Sequence, residues 1–204
     1  MTAAEPPEKP GPNPIFSRRI GGAMISLAPD PTRLIQKAEH QRAMVQSCIE
    51  QVAELPSSLD ERSPGPGRWS PLQVVEHIVI SERTVFGVPA PLEDRPMSHP
   101  KWRHHAGRLM VSAVLTLRVP APVPEAAMSP TGKTPLHRLR RILGDVHDWL
   151  AESIRSAPPE ILGRPLFHHP IAGPLTVRQA LRLNRLHIAA HQRHLEDLIT
   201  TLTS

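Results

Sequence analysis

The stretch Thr176 to Leu202, TVRQALRLNRLHIAAHQRHLEDLITTL, decides the fold. Thr176 and Gln179 make a capping box, in which each side chain satisfies an orphan backbone donor at a helix start, so a long helix is predicted from here. Val177, Ala180, Leu181, Ile188, Leu195, Leu198 and Leu202 recur at threes and fours and form its inward stripe. Asn184, His187, His191 and His194 fall on the same stripe. An inward polar group costs roughly 1–3 kcal/mol unless it finds a partner, so this seam demands an explanation. His187 and His191 are one turn apart, with Cβ atoms about 5–6 Å from each other. That spacing suits two imidazoles on one metal ion, and equally a hydrogen-bonded pair. Ile188 stands where the zinc-protease motif H-E-x-x-H needs its Glu, which excludes that motif.

A third ligand would decide the matter, and Trp69 to Arg83, WSPLQVVEHIVISER, offers one. Ser70 is a candidate N-cap, Pro71 fits the first helical position, Gln73 completes another capping box, and Trp69 can staple onto Val74. His77 then lies two turns in, among Val74, Val75, Ile78 and Val79, and faces the interior. By itself it reads as a core histidine. Joined to His187 and His191 it makes a three-histidine set with a coordination position left open, as in catalytic metal sites.

Trp69-Ser70 followed by Gln73-Val74-Val75-Glu76-His77-Ile78 resembles the second helix of the DinB/YfiT-like superfamily. His187-x-x-x-His191-x-x-His194 is similar to its last helix, and His169-Pro170-x-x-Gly173-Pro174-Leu175-Thr176 to the loop before it. The resemblance implies an all-α four-helix bundle that holds a divalent ion, zinc or nickel, through His77, His187 and His191. It further implies an enzyme that activates a low-molecular-weight thiol, such as bacillithiol or mycothiol, for S-transfer or isomerisation. Two alternatives stand beside it. One is a hydrolase using hydroxide on the metal, with Glu76 or Glu82 as base; the other is a metal-binding or stress-response module without turnover. His194 is placed behind the ligands, orienting an imidazole, and Asn184, His168 and His169 are weaker candidates of that kind.

The rest of the chain fits around this centre. Residues 1–29 are rich in Pro and Gly and read as a flexible tail, leaving 30–204 as the bundle domain. A first helix opens at Asp30-Pro31 and ends before Pro56. Pro89, Pro91, Pro96 and Pro100 mark a long irregular connection between the second and third bundle helices, with a short helix from Lys101 to Leu117 inside it. The proline-rich loop Arg118 to Gly132 is a candidate roof for a substrate cavity. A third bundle helix opens at Thr134-Pro135, Thr134 serving as cap. His40, His99, His104, His105, His137 and His147 are expected at the surface.

Composition narrows the classes. With no Tyr and only three each of Trp and Phe among 204 residues, the core must be aliphatic. The lone Cys48 rules out an internal disulfide and reads as a buried, inert thiol. A net charge of +5 invites a nucleic-acid reading, but no aromatic residue interleaves the Arg138-Leu139-Arg140-Arg141 run to stack on bases, so none is expected. No run approaches the ~18 apolar residues of a membrane span. A cytoplasmic protein acting on a small molecule is expected, for which a homodimer would be unsurprising.

Overall fold

The computed structural model describes residues 29–87, 92–95, 99–117 and 128–204, and the backbone of two short strands before them. These strands, β1 (Ser17–Ile20) and β2 (Ala23–Ser26), pair antiparallel. They lie within the segment expected to be a flexible tail, most of which falls outside the described residues. Six helices follow: α1 (Pro31–Ala53), α2 (Pro71–Phe86), α3 (Trp102–Leu117), α4 (Leu136–Ser156), the single turn α5 (Pro159–Leu162) and α6 (Val177–Thr203). Between α5 and α6 stands the antiparallel hairpin of β3 (Phe167–His169) and β4 (Gly173–Leu175).

Helix starts follow the local chemistry. Asp30 caps α1 by accepting from the Thr32 amide at 3.0 Å. Ser70 and Gln73 close the capping box of α2, and Thr176 and Gln179 that of α6. The expected Thr134 cap is not formed. Helix α4 has Pro135, which carries no side-chain acceptor, at its N-cap position, and the Thr134 hydroxyl one residue earlier donates to the Glu76 carboxylate at 2.5 Å.

α1 and α2 each pack against both α4 and α6, so α4 and α6 occupy opposite corners of the bundle. Two apolar clusters fill it. One holds Leu34, Ala38, Phe86, Leu150, Ile154 and Leu181; the other holds Val45, Ile49, Val75, Ile78, Leu139, Ile188 and Leu195. Following residue numbers through the clusters gives each helix a direction. α1 and α6 run from the first cluster to the second, whereas α2 and α4 run from the second to the first. Consecutive helices α2 and α4 are therefore parallel, and the chain between them must return the length of the bundle. A helix of α4's 21 residues is about 30 Å long, which is why the connection is long. α3 lies along this return and packs against α6 and β4. The four-helix bundle with a long connection between its second and third members is thus as expected.

Between the two clusters lies a polar layer with one residue from each bundle helix: Gln41, Glu82, His147 and Asn184, all buried. His147 corrects the expectation of a solvated side chain. It is four residues past Leu143 and three before Leu150, which places it on the inward face, and its Nε2 lies 3.0 Å from Glu82 Oε2. His40, His99, His105 and His137 are exposed as expected. Cys48 is fully buried, and burial, with Glu196 adding, pushes its thiol up to about 11.

Candidate metal centre

Helix α2 supplies His77 and α6 supplies His187 and His191, and their rings converge. Ring centroids are 5.2 Å apart for His77 and His187, 4.7 Å for His77 and His191, and 4.5 Å for His187 and His191. One ligating nitrogen from each lies within 4.8 Å of the others, the set of this kind among the described residues. Nε2 of His77 is 3.2 Å from Nε2 of His187. Two nitrogens bound at about 2.0–2.1 Å in tetrahedral geometry are separated by about 3.3–3.4 Å, so this pair already stands at the spacing a shared ion would need.

The proton on His77 is placed by its neighbour. Its Nδ1 lies 2.8 Å from the Met128 carbonyl oxygen, which can only accept, so Nδ1 carries the hydrogen and Nε2 keeps its lone pair. The charge state suits ligation throughout. Burial, then the adjacent His77 and His169, push His187 down to about 3. Burial, followed by His187, His77 and His194, pushes His191 down to about 2. Burial also lowers His77, against the opposing effect of the Met128 bond. All three are neutral imidazoles at neutral pH, the form a metal binds. The donor set therefore fits a divalent ion of zinc type.

Two contributors escaped the sequence. Trp69 packs against the apolar cluster that includes Val74, and its ring also covers the triad, 4.8 Å from His77 and 6.0 Å, stacked, from His191. It precedes its helix, so no periodicity could have flagged it. Met128 sits in a proline-rich loop that bears no motif.

Glu76 is corrected as a candidate base. It is 1% exposed and faces away from the cavity. Its carboxylate accepts from Thr131 Oγ1 at 3.0 Å, Thr134 Oγ1 at 2.5 Å and the Gly132 amide at 2.5 Å. Gly132 makes the turn with φ +72°, a conformation side chains resist. Glu76 thus ties down the segment whose Met128 carbonyl holds His77. Glu82 is corrected likewise: it is fully buried, bonded to His147 and Asn184, and does not line the cavity.

The triad opens onto a cavity of about 850 Å³. Met110, Val111, Val114 and Leu115 of α3 and Ile171, Leu175 and Leu183 make an apolar wall, while Asn184, His168, His169, His194, Arg68 and Arg193 bring polar groups. Met128, from the loop expected to roof it, lines it too; residues 118–127 of that loop lie outside the described ones. His194 stands 6.4 Å, ring to ring, from His191, beyond the triad, and is lowered by burial and by Arg68, with Asp197 opposing. His169 accepts from the amides of Ile171 and Ala172, both at 3.1 Å, and so builds the β3–β4 turn. His104 packs edge-on to Gly173, where an added Cβ would fall 2.4 Å from its Cγ. No helix among the described residues is long and apolar enough to cross a membrane.

A solved structure described as "YfiT from Bacillus subtilis is a probable metal-dependent hydrolase with an unusual four-helix bundle topology" is similar, with 21% identity over 82% of this chain and 85% of that one, at a TM-score of 0.48. No curated protein matches the sequence significantly. The family profile of the DinB superfamily matches residues 52–195. The chain belongs to the DinB superfamily.

Proposed function

We propose that this protein is a metal-dependent enzyme that binds zinc or nickel through His77, His187 and His191 and activates a low-molecular-weight thiol for S-transfer or isomerisation on a small molecule. The observation that carries the proposal is the convergence of three neutral imidazoles, from two distant segments, at the wall of a cavity large enough for a substrate. A divalent ion with an open position supplies the chemistry, holding a thiol as thiolate or lowering the pKa of water from about 15.7 toward about 7.

The chain's own residues do the rest. Met128 keeps the His77 proton on Nδ1, Trp69 shields one side of the triad from water, and the α3 wall receives the apolar body of the substrate. The carboxylates of Glu76 and Glu82, the acids nearest His77 in sequence, are committed elsewhere, so a hydrolase would lack the bases expected for it. One observation favours the hydrolase: His194 lines the cavity outside the triad and, with its pKa lowered, is free to accept a proton at neutral pH.

Metal analysis of protein purified without a histidine tag, repeated on His187→Ala, tests the site. Metal present in the first and lost in the second is expected, and equal content in both would end either catalytic reading and leave a module without a metal centre. A chlorinated aromatic electrophile offered with a panel of thiols then separates the two reactions. Turnover that depends on the thiol is expected; thiol-independent ester cleavage would favour the hydrolase.

A further inference from the structure

The polar layer across the bundle has a direction, and it points into the cavity. The Leu181 carbonyl can only accept, so the Gln41 amide nitrogen, 2.8 Å away, donates to it. That fixes Gln41 Oε1 toward Asn184, whose Nδ2 donates to it at 2.9 Å. The second Nδ2 hydrogen goes to Glu82 Oε1 at 2.7 Å. On the far side His147 Nε2 is 3.0 Å from Glu82 Oε2, while His147 Nδ1 is buried without a partner. A buried N–H left unpaired costs more than a bare lone pair does, so the His147 proton sits on Nε2 and is donated to Glu82. Both oxygens of Glu82 are thus engaged as acceptors. Flipping the Asn184 amide would turn its oxygen onto two acceptors, so its orientation is locked.

What remains is Asn184 Oδ1. The residue is only 7% exposed, yet this oxygen makes no hydrogen bond to a described residue and is not among the enclosed polar atoms. Asn184 lines the cavity one turn before His187. The Glu82 carboxylate behind the amide polarises it and strengthens the carbonyl as an acceptor. A fixed, polarised acceptor in the cavity wall selects for a donor and repels carbonyls and carboxylates at that spot.

We infer that Asn184 Oδ1 is a specificity-determining acceptor, and that the small molecule bound in the cavity presents a hydroxyl or N–H group to it. The inference rests on the reading of the cavity as the substrate site and names a chemical feature of its occupant.

Benzyl alcohol and acetophenone are close in size, but only the first has a donor, so the pair serves as probe. Affinities are read by NMR titration of the protein as purified, and of Asn184→Leu and Glu82→Gln. The wild type should prefer the alcohol by about three- to tenfold, the range of one neutral hydrogen bond. Asn184→Leu should bind both alike. Glu82→Gln keeps Asn184 in place, because Gln41 Oε1 still takes one Nδ2 hydrogen, but removes the charge behind the amide, so the preference should shrink, a change that a merely structural role would not produce. Equal wild-type affinities, failure of the cavity to bind the alcohol, a preference that survives in Asn184→Leu, or one undiminished in Glu82→Gln would overturn the inference; the wild-type arm stands even where a variant does not fold. Metal content, measured in parallel, should be the same in Asn184→Leu as in the wild type. A wild type with the preference but no metal would sink the enzymatic proposal and spare this one, whereas metal without the preference would do the reverse.

Discussion

Replacing Glu76 with Gln tests whether the loop before α4 is clamped for the sake of His77. The native carboxylate accepts from two hydroxyls and one amide. A hydrogen bond to a charged group contributes about 1.5–3 kcal/mol, roughly twice a neutral one. Gln can turn its oxygen to the Gly132 amide and its nitrogen to the hydroxyls, which rotate to accept, so three bonds survive without their charge. Losing half of each gives a destabilisation of about 2–4 kcal/mol at neutral pH. The pH dependence has a definite sign. Burial alone would raise the Glu76 pKa, but the bonds from Thr134, Gly132 and Thr131 outweigh it and hold the pKa below its ordinary 4.5. Such a group stabilises the fold above its unfolded pKa and ceases to as the pH falls through its folded one. The gap between wild type and variant should therefore be full at pH 7 and close on acidification below about 4.5. The Met128 carbonyl loosens with the loop, so metal affinity should fall about tenfold, as for other groups that orient a ligand imidazole. Urea denaturation across pH, with chelator competition for the metal, measures both. A stability loss under about 0.5 kcal/mol, the level of an ordinary surface change, would refute the clamp. A large loss with unchanged metal affinity would refute its link to His77.

Gly173→Ala should destabilise by about 1–3 kcal/mol in thermal or urea melts, since φ is +68° there and the new Cβ would meet the His104 ring. The metal-stripped protein should lose stability as the pH falls below 6.5, because the unfolded chain takes up protons that His187 and His191, at about 3 and about 2, refuse. The slope, read from denaturation midpoints, should reach up to about 1.4 kcal/mol per pH unit for each histidine; a flat profile would contradict their neutral burial. Cys48, fully buried with its thiol up to about 11, should resist iodoacetamide in the native protein and react only on unfolding, as mass spectrometry can follow.

The bundle and its triad were legible because both obey helical periodicity. Capping chemistry marked where α2 and α6 begin, and spacing then carried His77, His187 and His191 inward. The parts that were not legible depend on contacts between elements with no shared period. Thr134 looked like a cap, and only the folded chain brings the Glu76 carboxylate to it. Glu76 and Glu82 looked available as bases because sequence proximity to His77 says nothing about which way a helix turns them. The inward position of His147 is legible in the spacing of its own helix, four past Leu143 and three before Leu150, although it shares no spacing with the triad. Trp69 and the Met128 carbonyl reach the triad from outside regular structure, where no pattern applies.

The buried polar layer bears on what the fold is for. Gln41, Glu82, His147 and Asn184 interrupt what would otherwise be one continuous apolar core, and apolar replacements of similar volume would be neutral or stabilising, as for buried ion pairs in general. A bundle shaped by stability alone has no use for such a layer. Its cost is contained, since apart from His147 Nδ1 and the Asn184 oxygen its hydrogen-bonding atoms are matched, and those two exceptions differ in kind. The His147 lone pair is enclosed in the core, whereas the Asn184 oxygen stands at the wall of the cavity beside the triad. A network that spans four helices and leaves its one accessible acceptor in the cavity that the histidine triad lines serves that cavity, with the bundle's stability lowered to hold a single side chain in place.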